Sequence, residues 1–275
     1  MVNIIKNAEE FEKIPDLLDR DGYVVISDVY SVQECVRIKK IIEREKSKSG
    51  ASASGQNFSL PNALHLIPEL GDVVTSPKLI GVMNKVFDGK KYCFTSHSDI
   101  HVNTVAAWHK DDGKGSYFEG LPDYFSDTSC RVYKVGLYLQ DTLKHGGLTV
   151  KSGSHKSGYS KLGMDFNSDD PEVYLPASLG DIVIFDVRIT HKGDSELTTK
   201  ISHRLLRKLG IIKDKNLNYE RYAMFFSFGL DNEYTRVFSH KNMERQIKQL
   251  RSNTSKVIPE KLKNDLSEHE IGVFY

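Results

Sequence analysis

The chain has 275 residues, with 38 lysines and arginines against 37 aspartates and glutamates, a formal charge of +1. That near-balance excludes the strong basic field that draws a protein to nucleic acid or a membrane surface. Three scattered cysteines, Cys35, Cys93 and Cys130, offer neither a disulfide framework nor a Cys-x-x-Cys zinc site, so a reducing cytoplasm is the expected location. Residues 1–7 turn polar too soon for a signal peptide, and no apolar run approaches a membrane span. The length suits a single domain, 1–275, whose expected partner is a small molecule of unspecified identity.

Helical spacing dominates the first part, about 1–90. Residues 8–19 place Phe11, Ile14, Leu17 and Leu18 on one face, and Ser31 is a suitable cap for a helix over 32–46 carrying Cys35, Ile38, Ile41 and Ile42. A Ser/Gly/Ala-rich stretch over 47–55 reads as a loop, and a further helix is expected over 77–87. From Lys91 the pattern turns to strands, at 92–103, 131–140, 147–151, 181–186 and 221–228, separated by glycine pairs and other turn signals. Between them, residues 114–129 are rich in aromatics and lack strand periodicity, which suits a cover that stands open or disordered until substrate binds. Late helices are expected over 242–251 and 259–266, in a tail of about 240–275. Helices, then antiparallel strands over about 91–230, then a helical tail fit a mainly β fold with a cupin-like double-stranded β-helix (jelly-roll) core, open at one mouth for a small ligand.

The chemistry concentrates in Trp108-His109-Lys110-Asp111 and in His191 at the end of an apolar strand. On a strand, side chains at i and i+2 leave on one face, so His109 and Asp111 point together while Asp112 points away. One further histidine completes two imidazoles and one carboxylate. That set caps one face of an octahedral metal and leaves the opposite positions open, as in non-haem Fe(II) oxygenases. Lys110, Lys114, Lys151 and Lys192 lie near these residues in sequence and read as solvated lysines. Asp99, His101 and Asn103 alternate with apolar neighbours, and His101 reads as a partly buried, hydrogen-bonded histidine.

Four ordered blocks surround the triad: Asp21-Gly22-Tyr23-Val24-Val25-Ile26 with its following helix, the His-x-Asp pair, Gly146-Gly147-Leu148-Thr149-Val150-Lys151-Ser152-Gly153-Ser154-His155-Lys156, and Gly180-Asp181-Ile182-Val183-Ile184-Phe185-Asp186 leading to His191. Across residues 10–230 this series resembles the phytanoyl-CoA dioxygenase family. The resemblance implies Fe(II) held by His109, Asp111 and His191, 2-oxoglutarate as cosubstrate, dioxygen as oxidant and ascorbate as a possible reductant. It implies hydroxylation of a small molecule with release of succinate and carbon dioxide. It also implies an arginine that opens the strand after the distal histidine and forks onto the 2-oxoglutarate carboxylate. Arg221 opens a strand-like run, whereas Arg204 and Arg207 sit in a Leu/Lys-rich stretch, so Arg221 is the expected fork and Arg204 the alternative. Asn103 resembles, by position, a polar residue used near the cosubstrate. His155 is expected to hold its turn rather than bind metal. Two other functions remain open: a jelly-roll small-molecule-binding protein without catalysis, and a zinc-dependent hydrolase on the same three ligands.

Overall fold

A computed structural model describes residues 2–51, 56–159, 169–193, 220–250 and 258–274. Strands β1 (Ile4–Ile5), β2 (Tyr23–Ile26), β3 (Phe58–Pro61), β4 (Tyr92–Val102), β5 (Val132–Tyr138), β6 (Leu148–Lys151), β7 (Glu172–Leu175), β8 (Ile182–Asp186), β9 (His191–Gly193), β10 (Tyr222–Leu230) and β11 (Gly272–Val273) form two sheets. The larger runs β1-β2-β8-β5-β10-β4-β11, with β3 also paired to β4; the smaller is β7-β6-β9. Helices α1 (Ile14–Asp21), α2 (Val32–Lys48), α3 (Ala63–Leu66), α4 (Gly71–Val74), α5 (Pro77–Val86), α6 (Glu233–Leu250) and α7 (Glu260–Glu268) flank the sheets.

Strand alternation decides what each face does. Val24, Ile26, Val135, Leu137, Ile182, Ile184, Met224 and Phe226 face a large core that they share with the helices. Their neighbours Tyr23, Val25, Val183, Phe185, Ala223 and Phe225 face the other way, onto Leu148, Val150 and Leu175 of the smaller sheet. The space between the sheets is therefore half apolar core and half open mouth, a double-stranded β-helix.

Local chemistry fixes the helix ends. Ser31 accepts from the backbone N–H of Glu34 while the Glu34 carboxylate accepts from that of Ser31, a closed capping box at the start of α2. The single helix expected over 8–19 is instead a 3-10 turn (Ala8–Lys13) followed by α1. Pro15 has no N–H and clashes with a preceding helical turn, so the α-helix restarts around it. Both ends of the chain are less purely helical than their sequence pattern suggests, because β1 and β2 extend the larger sheet and β11 pairs with β4. These strands are two to four residues long, below what periodicity can register.

Two of the sequence blocks meet directly. The imidazole of His155 donates from Nε2 to the Asp19 carbonyl at 2.9 Å. Gly22 lies beneath it with φ +80°, and a Cβ there would come within 2.5 Å of the ring. Glycine is required at that position by both the backbone and the histidine.

Candidate active site

His109 is bridged to His191 by reciprocal backbone hydrogen bonds of 2.9 Å, and the amide of Asp111 donates to the Val187 carbonyl. This short pairing carries the His-x-Asp segment across to the end of β8 and β9. One donor atom from each of His109, Asp111 and His191 lies within 4.8 Å of the others. The Nε2 atoms of His109 and His191 lie 3.6 and 3.4 Å from the Asp111 carboxylate. Each ring donates its Nδ1 hydrogen to a carbonyl two residues earlier, Ala107 at 2.7 Å and Ile189 at 3.0 Å. Those bonds fix the tautomer that turns both Nε2 lone pairs toward the carboxylate.

Charge is graded across the cluster. Burial alone would push the Asp111 carboxyl up, but Lys134 at 2.6 Å and the two histidines hold it well below the usual carboxylate range. Burial and the neighbouring His109 pull His191 down to about 3. Burial also opposes protonation of His109, yet the Asp111 hydrogen bond and charge outweigh it and raise that imidazole. The cluster thus offers an ionised carboxylate and a neutral imidazole without any change of protonation. A divalent cation would need only to displace the proton that His109 favours.

The triad lines a cavity of about 560 Å³. Arg221, immediately before β10, closes one end of it. Its Nε donates to the Gly146 carbonyl at 2.6 Å, its Nη1 to the Thr104 carbonyl at 3.0 Å, and its guanidinium lies over the Tyr138 ring. The Tyr138 hydroxyl is buried there and interacts with the guanidinium. An anchored guanidinium on a cavity wall is what an incoming carboxylate pairs with.

Asn103 takes a different place. It has φ +56° and stands behind Arg221, where its Oδ1 accepts from the Arg221 amide at 2.9 Å and its Nδ2 donates to the Gln56 carbonyl. It braces the arginine's backbone and does not line the cavity. Arg204 and Arg207 lie outside the described residues. His101 does line the cavity, with Nδ1 2.9 Å from the Ser59 hydroxyl, and burial lowers it to about 4.

Two expectations fail for physical reasons. Lys110 and Lys151 are buried rather than solvated. The Lys110 ammonium donates to the carbonyls of Ser154 and Arg188, and Lys151 lies over the Trp108 ring, with Lys192 at 4.5 Å from the same ring. The aromatic segment after the metal pair is a packed wall, not an open cover. Phe118 is buried against Phe238 and Tyr234 of α6, Tyr124 bonds Asp112, and Tyr234 bonds Asp127. Stacked aromatic area outweighs the loop's ordering cost here. Of this stretch only Tyr117 reaches the cavity, beside Gly113 just before it.

Lys134, Tyr138 and Arg245 were missed in the sequence. Lys134 and Tyr138 carried a signal, since they alternate with the core residues Val135 and Leu137 along β5 and must therefore face the mouth. Arg245, in a mixed-charge helix, carried none.

The sequence profile of the phytanoyl-CoA dioxygenase (PhyH) family matches residues 18–204, and the chain belongs to that family. A curated relative, ectoine dioxygenase from Stutzerimonas stutzeri (strain A1501), is 24% identical over 165 residues, covering 55% of this chain and 53% of the relative. The chain thus spans about half the length of that relative. Among solved structures, EctD from S. alaskensis in its apo form superposes with a TM-score of 0.59 at 17% identity, covering 84% of this chain and 80% of that one. HygX from Streptomyces hygroscopicus, with nickel and 2-oxoglutarate bound, gives 0.58 at 16% identity, with 80% and 86% covered. At such identities these structures establish the shared fold. No helix among the described residues is long and apolar enough to cross a membrane.

Proposed function

We propose that this chain is an Fe(II)- and 2-oxoglutarate-dependent oxygenase that oxidises a C–H bond of a small molecule in the cytoplasm, with release of succinate and carbon dioxide. The observation that carries the proposal is the convergence of His109 Nε2, Asp111 and His191 Nε2 on one wall of a cavity whose far end is closed by Arg221. The donor set suits iron, and the anchored Arg221 guanidinium suits a dicarboxylate. A bound Fe(II) would supply the activation of dioxygen, since three protein ligands leave coordination positions open.

The chain's own residues supply geometry and charge. Ala107 and Ile189 lock the imidazoles through their carbonyls, so no rotamer search precedes metal binding. Lys134 holds the Asp111 carboxylate in its ionised form and fixed orientation. Arg221, tied at two nitrogens and braced by Asn103, presents a rigid cation for the distal carboxylate of 2-oxoglutarate. Phe185, Phe225 and Leu148 line the same cavity and keep its floor apolar, which lowers the local dielectric and strengthens each ionic contact.

Succinate release in the presence of iron, ascorbate and 2-oxoglutarate tests this. The wild-type protein should release succinate and His109→Ala should not. Release that continues in His109→Ala would remove the triad from the chemistry, and metal-dependent hydrolysis without 2-oxoglutarate would move the chain to the zinc-hydrolase alternative.

A further inference from the structure

The end of the cavity opposite Arg221 is built as carefully as the Arg221 end, and nothing in the iron or 2-oxoglutarate chemistry uses it. Arg221 directly precedes Tyr222, which pairs with Val102, whereas Asp99 pairs with Phe225. Arg221 and Phe225 are four residues apart, which sets the two ends roughly 13 Å apart along the strand. At the Asp99 end, α6 inserts three side chains into the cavity: Asn242, Arg245 and Gln249.

Arg245 is held in place by its neighbours. Its Nε and Nη2 donate to the Asn242 side-chain oxygen at 3.0 and 2.8 Å, Nη2 donates to Asp99 at 3.3 Å, and Nη1 donates to Gln249 at 2.9 Å. Asp99 is itself held: Gln246 donates to one oxygen at 2.6 Å and His97 lies 3.0 Å from the other. Behind them Ser227 bonds His97 Nδ1 at 2.8 Å, in a fully buried chain without access to the cavity. This network immobilises the guanidinium, with Arg245, His97 and Gln246 sharing the two Asp99 oxygens.

The charge of the cavity favours an anion. Of the charged side chains that line the cavity, Lys110, Lys134, Arg221 and Arg245 are cations and Asp99 and Asp111 are anions; the carbonyls that bond Lys110 are neutral and leave its charge in place. An iron dication and a 2-oxoglutarate dianion would cancel one another, so the loaded cavity keeps a positive excess. Outside it, a second hollow of about 580 Å³ shares Gly113, Tyr117, Arg245 and Gln249 with the first. Lys241, Arg245 and Lys248 line it from one face of α6, against Glu119 and Glu244. Apart from Arg245 itself these are two cations and two anions, so the approach is charge-balanced and the positive excess lies inside the cavity.

We infer that the primary substrate carries a carboxylate and that Arg245 is the residue that selects it. The inference rests on the oxygenase reading only for the position of 2-oxoglutarate. Gln249, at the rim, is the partner that a carboxylate displaces from Nη1 to reach a charge-assisted contact.

The test is calorimetry on the anaerobic protein loaded with Fe(II) and saturating 2-oxoglutarate. The probes are straight-chain monocarboxylates from acetate to octanoate, with benzoate, each against its primary amide. Acids should bind about 10- to 100-fold more tightly than amides, a difference that Arg245→Gln abolishes and Arg245→Lys partly keeps. Affinity for 2-oxoglutarate should stay at the wild-type value in Arg245→Gln and fall in Arg221→Gln. Asp99 keeps His97 and Gln246 in the variant, so folding, checked by circular dichroism, should persist. Amides binding as well as acids, no acid binding at millimolar concentration, or Arg245→Gln retaining the preference would each overturn the inference. Failure of the oxygenase reading is read separately, as failure of 2-oxoglutarate to bind with iron. In that event the same titration on metal-free Arg221→Gln, where the competing anion site is gone, still decides the role of Arg245.

Discussion

The two sides of the segment 108–112 bury neighbouring carboxylates in opposite ways. Asp111 faces the cavity, where Lys134 and two imidazoles hold it ionised. Asp112 faces the aromatic wall, where burial raises it despite hydrogen bonds from the Tyr124 and Tyr159 hydroxyls and the Lys114 amide. A carboxylate surrounded by cations and open on one side is a ligand. A carboxylate closed in by phenols is a structural rivet, which ties the segment to the loop that follows. The pair shows that adjacency in sequence says little about role when successive side chains leave the backbone into different surroundings.

The sharpest way to break this comparison is to remove each carboxylate's function in turn. Asp111→Ala, His109→Ala and His191→Ala should each weaken Fe(II) binding by at least about 100-fold, because three convergent ligands become two, while thermal unfolding stays cooperative. Equilibrium metal titration of each variant checks this, and wild-type affinity in any of them contradicts the assignment. Arg221→Ala should raise the 2-oxoglutarate dissociation constant about 30- to 1000-fold, the worth of a charge-assisted bidentate contact in a desolvated site. Asp112→Ala should do the reverse of Asp111→Ala. It should cost about 2 kcal/mol of stability through the lost hydrogen bonds, with metal affinity nearly intact. A metal defect in Asp112→Ala would mean that the wall and the ligand face are not separable.

The smallest effect concerns pH. Burial lowers His101 to about 4, so the folded state resists a proton that the unfolded chain accepts near pH 6.5. Its contribution to stability is complete above pH 6.5, falls as the pH drops toward 4, and is constant below that. His101→Gln should therefore flatten the stability profile between pH 7 and 5 by about 1–2 kcal/mol relative to wild type, measured by denaturant unfolding at the two pH values. An unchanged slope would show that the Ser59 contact leaves the ring accessible to protons.

Much of this site was legible because strand alternation is a strong constraint. It put His109 and Asp111 on one face, sent Asp112 to the other, and marked Arg221 as the residue opening a strand. The jelly-roll core was legible for the same reason, through the apolar alternation of β4, β5 and β10. What escaped was set by tertiary context. Asn103 looks like a lining residue until its positive φ turns it behind Arg221. Lys110 and Lys151 look solvated because nothing in the sequence reveals the carbonyls and the indole that receive them. Arg245 sits in a helix whose charge pattern is that of a solvent-facing surface, and only the docking of α6 beside the barrel mouth brings it to the cavity. Phe118 suggested a movable cover, but the partner that pins it, Phe238, lies more than a hundred residues away.

The central claim is that His109, Asp111 and His191 hold iron beside 2-oxoglutarate, and anaerobic absorption spectroscopy tests it most directly. Adding 2-oxoglutarate to the Fe(II)-loaded wild-type protein should produce a metal-to-ligand charge-transfer band, because the cosubstrate chelates the metal. The band should be lost in His191→Ala and should require far more 2-oxoglutarate in Arg221→Ala. A band that persists unchanged in His191→Ala, or its absence from wild-type protein shown to bind both iron and 2-oxoglutarate, would contradict the account.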